Sequence, residues 1–393
     1  MTVLPGLDIQ LPDGWDTGTL AEVTSKIGSG ATPRGGASVY VQSGPALIRS
    51  QNIYDHEFRS GGLVFLSSEA ANALRGVTVE PGDVLINITG DSILRTALVP
   101  DYVLPARVNQ HVAIVRSNDR VVPAFLQKWL SLDLMKDFML GHSSGGTRKA
   151  ITKGHLLSFP VPIPPLPEQR AIAAVLGALD IKIESNRTIL AKSLSLARAL
   201  FESALSSDSR SAVVGEVAEF HNRRRIPLSS QEREARVGTI PYYGATGVFG
   251  YVDEALFDEV LVLVGEDGSV VREDGGPVLQ YIWGPAWINN HAHPLTGKGI
   301  STEVLCLALD RADVRPIVTG AVQPKVSMSN LKSVQLDLPS GASLIELECE
   351  LVPLFALYRH RAEEAAKLTK LRAALFPELL LGRIRVATEK VAT

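Results

Sequence analysis

Cysteine is scarce in this sequence, with two residues, Cys306 and Cys349, in a chain of 393. So few cysteines do not indicate a fold stabilised by disulfides. Their apolar surroundings predict small buried side chains instead, which favours a reducing compartment, the cytoplasm. Long apolar runs are absent as well, because nowhere do about 18 apolar residues follow one another. The N-terminus also lacks the basic start and apolar core of an export signal. We therefore expect a soluble protein that is not exported.

The sequence has no large excess of charge of either sign. Its formal net charge is −3, so any nucleic-acid site would have to come from local clusters of Arg and Lys. Charged residues make up 21% and hydrophobic residues 45%, which excludes a disordered chain. The length allows two or three folded domains.

The chain contains a long internal repeat. The pattern P-A-x-[VI]-N-x-H occurs at 105–111 and again at 285–291, 180 positions later. The tripeptide Ala-Leu-Phe at 199–201 recurs at 374–376, 175 positions later, so the matches keep the same order in both halves. A period of this length indicates an internally duplicated architecture, with chance similarity as the alternative.

Each half begins with residues typical of short β-strands. β-branched and apolar runs at 84–88 and 112–115 are separated by turn residues, and the second half has similar runs at 259–264 and 303–309. One helix is expected in the first β region, from Pro123 to Leu140, where apolar residues share a face. The pattern predicts two β-rich domains.

A different pattern follows the proline-rich stretch 160–167, which can continue neither a strand ladder nor a helix. Alternating steps of four and three connect the residues of the first seam: Ile172, Leu176, Leu179, Ile183, Asn186, Leu190, Ser193, Ala197 and Leu200. The second seam repeats these steps 175 positions later: Leu347, Leu351, Leu354, Tyr358, Arg361, Ala365, Leu368, Arg372 and Leu375.

Each seam spans about 29 residues, or about 43 Å of helix, which is longer than a compact domain needs. The spacing predicts two long helices that pack on each other as a spacer, with the polar residues Asn186 and Arg361 fixing their register. The alternative is that each helix packs only on its own domain.

Short motifs are spread along nearly the whole chain. The first half carries Leu11-Pro12-x-Gly14-Trp15, Gly82-Asp83-Val84-Leu85-Ile86, Thr89-Gly90, Asn109-Gln110-His111 and Ile163-Pro164-Pro165-Leu166-Pro167-Glu168-Gln169-x-x-Ile172. The second half carries Pro241-Tyr242-Tyr243-Gly244, Gly250-Tyr251-Val252-Asp253 and Gly265-x-Asp267-Gly268-Ser269. Together these motifs resemble one known family, the specificity subunits of type I restriction-modification systems (the HsdS family). One departure is that 340–344 lacks the Pro-Pro-Leu-Pro-Glu-Gln junction, so the motifs do not define where the second helix begins.

The resemblance implies an α+β fold, with two β-rich target-recognition domains in pseudo-twofold arrangement separated by two long antiparallel coiled-coil helices. It divides the chain into recognition domain 1 (1–165), spacer helix 1 (166–206), recognition domain 2 (207–340), spacer helix 2 (341–382) and a tail (383–393).

The function that the resemblance implies is recognition of a bipartite site on double-stranded DNA. The expected partners are two methyltransferase subunits, which carry S-adenosylmethionine, and restriction-translocation subunits, which use ATP and magnesium. No catalytic residue, metal or cofactor is expected on this chain itself.

Candidate DNA contacts follow from charge and from loop position, because cations neutralise phosphates and polar side chains at loop tips reach base edges. The predicted phosphate contacts are Arg148, Lys149 and Lys153 in an acid-free loop, Lys325 in its weaker counterpart 320–325, and the basic run Arg223, Arg224 and Arg225. The predicted base contacts are Arg34, Arg49, Gln51, Asn52 and Ser92 in the first half, and Tyr243, Thr246, Ser269 and Arg272 in the second. Each could instead be an ordinary polar surface residue.

The Asn and His of the repeated motif receive a structural interpretation, because a feature shared by two readers cannot specify different bases. Two other chemistries stay open. His291-x-His293 could begin a metal site, although no third ligand is clustered with it. The acidic loop 265–268, with Glu273 and Asp274, could belong to a magnesium-dependent nuclease of a related defence system that uses the same reader. A protein scaffold is the remaining alternative, and it would leave the duplicated β domains unexplained.

Overall fold

The computed structural model describes residues 2–143, 150–320 and 323–387. The contacts of the chain divide it into two compact units. Unit 1 comprises Met1–Glu184 and Ala366–Thr393, and unit 2 comprises Ser185–Ala365. The borders between the units fall inside two long helices, so each unit contains a β-rich part and a portion of both helices.

Unit 1 is built from short strands with a few short helices. Its strands are β1 (Val3–Leu4), β2 (Ile9–Gln10), β3 (Asp16–Thr19), β4 (Thr24–Ser29), β5 (Tyr40–Ile48), β6 (Ile53–Tyr54), β7 (Glu57–Phe58), β8 (Val64–Leu66), β9 (Thr78–Val79), β10 (Val84–Asn87), β11 (Thr96–Leu98), β12 (Ala106–Val108), β13 (Val112–Ser117) and β14 (Pro160–Ile163). Its helices are α1 (Leu20–Val23), α2 (Ser68–Ala73), α3 (Pro123–Leu130), α4 (Asp133–Gly141), α5 (Lys153–Ser158) and the first part of α6 (Leu166–Ser207).

Unit 2 has the same kind of composition. Its strands are β15 (Ser209–Val213), β16 (Ala218–Phe220), β17 (Ile240–Tyr243), β18 (Val248–Val252), β19 (Phe257–Asp258), β20 (Leu261–Gly265), β21 (Leu279–Ile282), β22 (Pro285–Ile288), β23 (Ala292–Gly297) and β24 (Gln335–Pro339). Its helices are α7 (Val214–Val217), α8 (Ser230–Ala235), α9 (Thr302–Arg311), α10 (Met328–Lys332), the last part of α6 and the first part of α11 (Gly341–Leu380), whose last part belongs to unit 1.

The sheets of the two units share one topology. Unit 1 has four-stranded sheets in the orders β11-β10-β13-β4 and β8-β5-β12-β9, and unit 2 has β21-β20-β23-β16 and β18-β17-β22-β19. In each unit one pair is parallel, β5 with β12 and β17 with β22, while the other pairs of these sheets are antiparallel. The predicted duplication and the predicted pair of β-rich domains are therefore confirmed.

Two local predictions are wrong. Residues 303–309, expected as a strand, lie in α9, where Ser301 caps the helix by accepting a hydrogen bond from the backbone nitrogen of Val304. A short continuous apolar run is compatible with a buried strand or a buried helix, and here the cap precedes a helix. The single helix expected from Pro123 to Leu140 is two helices, α3 and α4, interrupted at Ser131 and Leu132.

The predicted seams face inward along both long helices. Every residue of the first seam, and every residue of the second, is buried or partly buried. In unit 1, Leu176 of α6 shares a hydrophobic core with Leu379 of α11. In unit 2, Phe201 of α6 shares a core with Leu351 of α11. The start of one helix thus lies with the end of the other, which is the order of contacts in an antiparallel pair.

Asn186 is a buried seam residue of α6, and neither polar atom of its amide has a hydrogen-bond partner among the described residues. Arg361 of α11 donates to Glu364 at 2.7 Å. Their role in fixing the register of the helices stays a prediction.

The Pro-Glu-Gln junction fastens the β-rich part of unit 1 to the start of α6. Glu168 accepts a hydrogen bond from the Trp15 indole at 3.0 Å and pairs with Arg385. The Gln169 amide accepts from the backbone nitrogen of Val122 at 2.7 Å and donates to the carbonyl of Arg120 at 3.0 Å. These bonds give this family-like motif a structural role.

A second polar network joins the β-rich part of unit 1 to both long helices. Asp180 of α6 accepts hydrogen bonds from Lys128 of α3 and from Arg372 of α11. His56 lies beside this network, and burial together with the charges of Lys128 and Arg372 lowers its pKa to about 3. Burial also lowers the pKa of Lys128.

The two cysteines lie in different environments. Cys306 is partly buried on α9, whereas Cys349 is exposed on α11, so the expectation of a buried side chain is wrong for Cys349. Within the described residues, no helix has the length and apolar character that crossing a membrane requires.

Candidate nucleic-acid interface

The repeated motif forms the same turn in both units. The side-chain oxygen of Asn109 accepts a hydrogen bond from the backbone nitrogen of His111 at 3.1 Å, and Asn289 accepts from His291 at 2.8 Å. An asparagine oxygen favours such turns because it can bond the backbone two residues further on. The geometry agrees with the structural interpretation of these asparagines.

Several strand ends meet beside this turn, and this side of each unit is termed its motif end. In unit 1, β5, β10 and β12 end there and β13 begins there. In unit 2, β17, β20 and β22 end there and β23 begins there. Strands β4 and β16, antiparallel to β13 and β23, also run towards it. Loops far apart in the sequence are thereby gathered at one side of each unit.

The motif end of unit 1 carries most of the predicted contacts of the first half. Arg34 is exposed in the loop after β4, and Gln51 is exposed after β5. Arg49 is partly buried and donates to the carbonyl of Gly62. The hydroxyl of Ser92 accepts a hydrogen bond from Asn87 at 3.0 Å.

Asn52 does not fit the predicted base contact, because its side chain is fully buried. Its amide donates to the backbone carbonyls of Arg59 at 2.8 Å and Gly61 at 3.2 Å, and accepts from the backbone nitrogen of Arg49 at 3.0 Å. Asn52 therefore holds its own loop together and does not reach a base.

The predicted phosphate contacts Arg148 and Lys149 lie outside the described residues. The segment that follows them returns to the motif end, where Ala150 forms a β-bridge with Thr89. Lys153 is exposed at the start of α5.

The counterpart of this segment in unit 2 behaves in the same way. Lys325 forms a β-bridge with Asp267, and the backbone nitrogen of Val326 donates to the carbonyl of Glu266 at 2.8 Å. The side chain of Lys325 is 49% exposed and its ammonium lies 3.4 Å from a Glu266 oxygen.

The basic run after β16 has three side chains in different environments. Arg223 is exposed and, within the described part of the chain, has no acidic partner. Arg224 pairs with Glu259 at 2.5 Å and stacks on an aromatic ring. Arg225 is turned inward, 13% exposed, and donates to Glu266 at 2.7 Å. The three consecutive arginines at 223–225 are therefore not three equivalent surface cations.

The remaining predicted base contacts of the second half are distributed over two places. Tyr243 ends β17 and Thr246 is exposed in the following hairpin loop, while Ser269 is exposed after β20. Arg272 instead donates to Asp274 and, at 2.6 Å, to Asp310 in the last turn of α9. The carboxylates of Asp274 and Asp310 neutralise the charge of Arg272 and occupy its donors, so this side chain does not fit a base contact.

The two histidines of the possible metal site are both engaged in hydrogen bonds. His291 donates from Nδ1 to Asp267 at 2.6 Å. His293 is fully buried, donates from Nε2 to the carbonyl of Val326 at 2.8 Å and accepts at Nδ1 from the Asn222 amide at 2.8 Å. Burial lowers the pKa of His293, which favours the neutral ring.

The acidic loop shows no arrangement for a metal-dependent nuclease. Glu266 is partly buried, which opposes ionisation, but the hydrogen bond from Arg225 and the neighbouring cations hold its pKa below the usual range. Across residues 2–143, 150–320 and 323–387, no group of three or more His, Cys, Asp or Glu side chains is placed to hold a metal ion. Neither rival chemistry gains support.

Residues 12–192 and 207–342 match the family described as the type I restriction modification DNA specificity domain. The chain belongs to this family. A putative type I restriction enzyme specificity subunit of Haemophilus influenzae is 30% identical over 158 residues, which are 40% of this chain and 37% of that protein. The match therefore spans little more than a third of that relative's length.

The fold has a solved counterpart. The structure of a type I restriction-modification S subunit from M. genitalium has a TM-score of 0.68 and 17% identity, covering 94% of this chain and 98% of that one. At this identity the likeness establishes the fold. The HsdS subunit from Thermoanaerobacter tengcongensis, at 20% identity, covers 98% of this chain and 100% of that one with a TM-score of 0.41.

Sequence reasoning about this specificity-domain protein missed the buried partners of the motif end. The sequence pattern predicted Glu266 as part of an acidic loop and Arg225 as one of three surface cations. The two residues are separated by 41 positions, and no local pattern indicates that they meet. One signal could have indicated this pair: Glu266 is an acidic residue directly after the apolar strand β20, and that strand ends at the motif end of unit 2.

Proposed function

We propose that this chain is the DNA-reading specificity subunit of a type I restriction-modification complex. Recognition domain 1, residues 1–165, reads one part of a split site, and recognition domain 2, residues 207–340, reads the other. The two long helices set the length of the unread gap. The chain is non-catalytic and acts by directing its partners to the site.

The observation that carries this proposal is the repeated motif end. Two units of one topology each gather loops with exposed cations at the same side of their sheets, Arg34 and Lys153 in unit 1 and Arg223 and Lys325 in unit 2. Local cations supply the phosphate attraction that a chain of net charge −3 lacks as a whole. Different loops on one framework supply different base contacts.

Methylation, DNA translocation and cleavage belong in this proposal to partner subunits in the cytoplasm. Two methyltransferase subunits would bind the helical region and carry S-adenosylmethionine, and restriction-translocation subunits would bring ATP and magnesium. No residue of this chain is assigned to those cofactors.

An exchange of recognition domains tests the proposal. Residues 207–340 are replaced by the corresponding domain of a relative, and the methylated bases are mapped in cells that contain the methyltransferase partner. The expected motif is a hybrid, with its first half native, its second half donated and its gap unchanged. A change in both halves together, or no methylation although the chimera still assembles with its partner, would contradict separate reading by the two domains.

A nuclease of a related defence system is the alternative to exclude. The purified chain is incubated with duplex DNA and magnesium, with and without a chelator. We expect salt-dependent binding without cutting, because phosphate contacts release counterions whereas cleavage needs a metal site. Cutting that the chelator abolishes would favour the alternative.

A further inference from the structure

The side chain of Arg225 points into unit 2 rather than into solvent. Its Nη1 donates to Glu266 Oε2 at 2.7 Å, to the carbonyl of Ala292 at 2.8 Å and to the carbonyl of Asn290 at 3.1 Å. Its Nε donates to the carbonyl of Asn222 at 3.1 Å. An arginine with these bonds has few donors left for a phosphate.

Glu266 is the acidic centre of the same network and is 14% exposed. Besides Arg225, its carboxylate lies 3.4 Å from the Lys325 ammonium and 3.5 Å from His293 Nδ1. Its backbone is held as well, because its nitrogen donates to the carbonyl of His291 at 2.8 Å and its carbonyl accepts from Val326. The position of the carboxylate is therefore determined from both sides.

The pair of Arg225 and Glu266 connects three separate segments at the motif end of unit 2. They are the basic loop 222–225, the repeated-motif turn 289–292 and the segment 325–326. Two exposed cations stand on these segments, Arg223 on the first and Lys325 on the last. A change in the pair would shift both cations relative to the turn.

The fold itself does not require this pair. In unit 1 the position equivalent to Glu266 is Ile88, whose backbone nitrogen donates to the carbonyl of His111 at 3.0 Å as that of Glu266 does to His291. Ile88 is a buried apolar residue. Among the described residues, the same turn thus forms in unit 1 with an apolar residue at this position, and the ion pair is found in unit 2.

We propose that Arg225 and Glu266 are positioning residues for DNA reading by recognition domain 2, because they set the relative placement of Arg223, Lys325 and the turn 289–292. This inference rests on the proposed function. It separates the basic run into an exposed cation that contacts DNA, Arg223, and an inward one that holds the loops, Arg225.

The test compares R225K and E266Q with a matched control, R272K, in the full-length chain. Lysine cannot reproduce the several directed donors of arginine, and glutamine keeps the shape of glutamate without its charge. Arg272 and Asp310 also form an ion pair of unit 2, at 2.6 Å, but they join a loop to α9. The control therefore removes the directed donors of an arginine that forms an ion pair of unit 2 away from the proposed network.

Binding sites are first selected from a random duplex library with the unmodified chain. Each variant is then measured against the selected site and against sites mutated in either half. We expect R225K and E266Q to lose about tenfold in discrimination at the second half-site, the size of one weakened base-pair contact, and to keep discrimination at the first. R272K should keep both, at a comparable loss of melting temperature.

The outcomes distinguish the two levels of the argument. If the unmodified chain selects no sequence, the proposed function fails and this inference fails with it. If it selects a bipartite site and both variants discriminate as well as R272K does, the positioning role alone is wrong. Equal losses at both half-sites would also contradict it, since they would indicate a general loss of folded protein.

Discussion

Replacing Asp180 with Asn should destabilise unit 1 strongly. Asp180 is the shared partner of Lys128 and Arg372, and these three side chains are 8% to 21% exposed. Asparagine would leave Lys128 and Arg372 facing each other in a largely buried site without a carboxylate to neutralise them. Removing one member of a buried pair costs about 3–5 kcal/mol, and because two of the three side chains keep some exposure we expect about 3 kcal/mol.

Two further variants calibrate this value. E57Q breaks the exposed pair of Glu57 and Arg59, 40% and 52% exposed, and should cost far less stability than D180N because solvent screens the pair. K128M removes one cation but leaves Asp180 paired with Arg372, so its cost should lie below that of D180N.

Hydrogen exchange of the α3 amides measures the loss in free energy of unfolding within unit 1. Urea unfolding measures the loss for the whole protein. A loss of about 3 kcal/mol corresponds to roughly 100-fold faster exchange where exchange follows unfolding. If D180N exchanged no faster than E57Q, the network would contribute no more than a surface pair, and the reasoning from burial would be refuted.

Three further predictions concern other parts of the chain. Since folding lowers the pKa of His56 from 6.5 to about 3, the protein should lose stability as the pH falls below about 6.5, by up to about 1.4 kcal/mol per pH unit. Urea unfolding at several pH values should show a weaker pH dependence for H56N. Gly382 has φ +71° and an added Cβ would overlap the ring of Pro12, so G382A should cost about 1–3 kcal/mol, measured by thermal unfolding. Replacing Arg148 and Lys149 with Ala should weaken DNA binding similarly for all sequences and reduce the logarithmic salt slope by about 1 to 2. An unchanged slope would mean that these two residues do not contact phosphates.

The sequence by itself determined the architecture of this protein. The repeat of about 175 residues predicted two like domains, and the steps of four and three predicted both long helices and the residues that they bury. Such features can be recognised because periodicity is a local property of the chain, expressed wherever a regular element buries one face. Residues 303–309 mark the limit, since a short apolar run carries no period that separates a strand from a helix.

Only the tertiary structure decided which polar residues are available to a ligand. Arg223 and Arg225 are indistinguishable in sequence, yet one is exposed and the other is bonded to Glu266, 41 positions away. Asn52 resembles a loop-tip residue but is buried within its own loop. The physical reason is that a charged or amide side chain takes its role from the partners it meets, and those partners come from segments that only the folded sheet brings together.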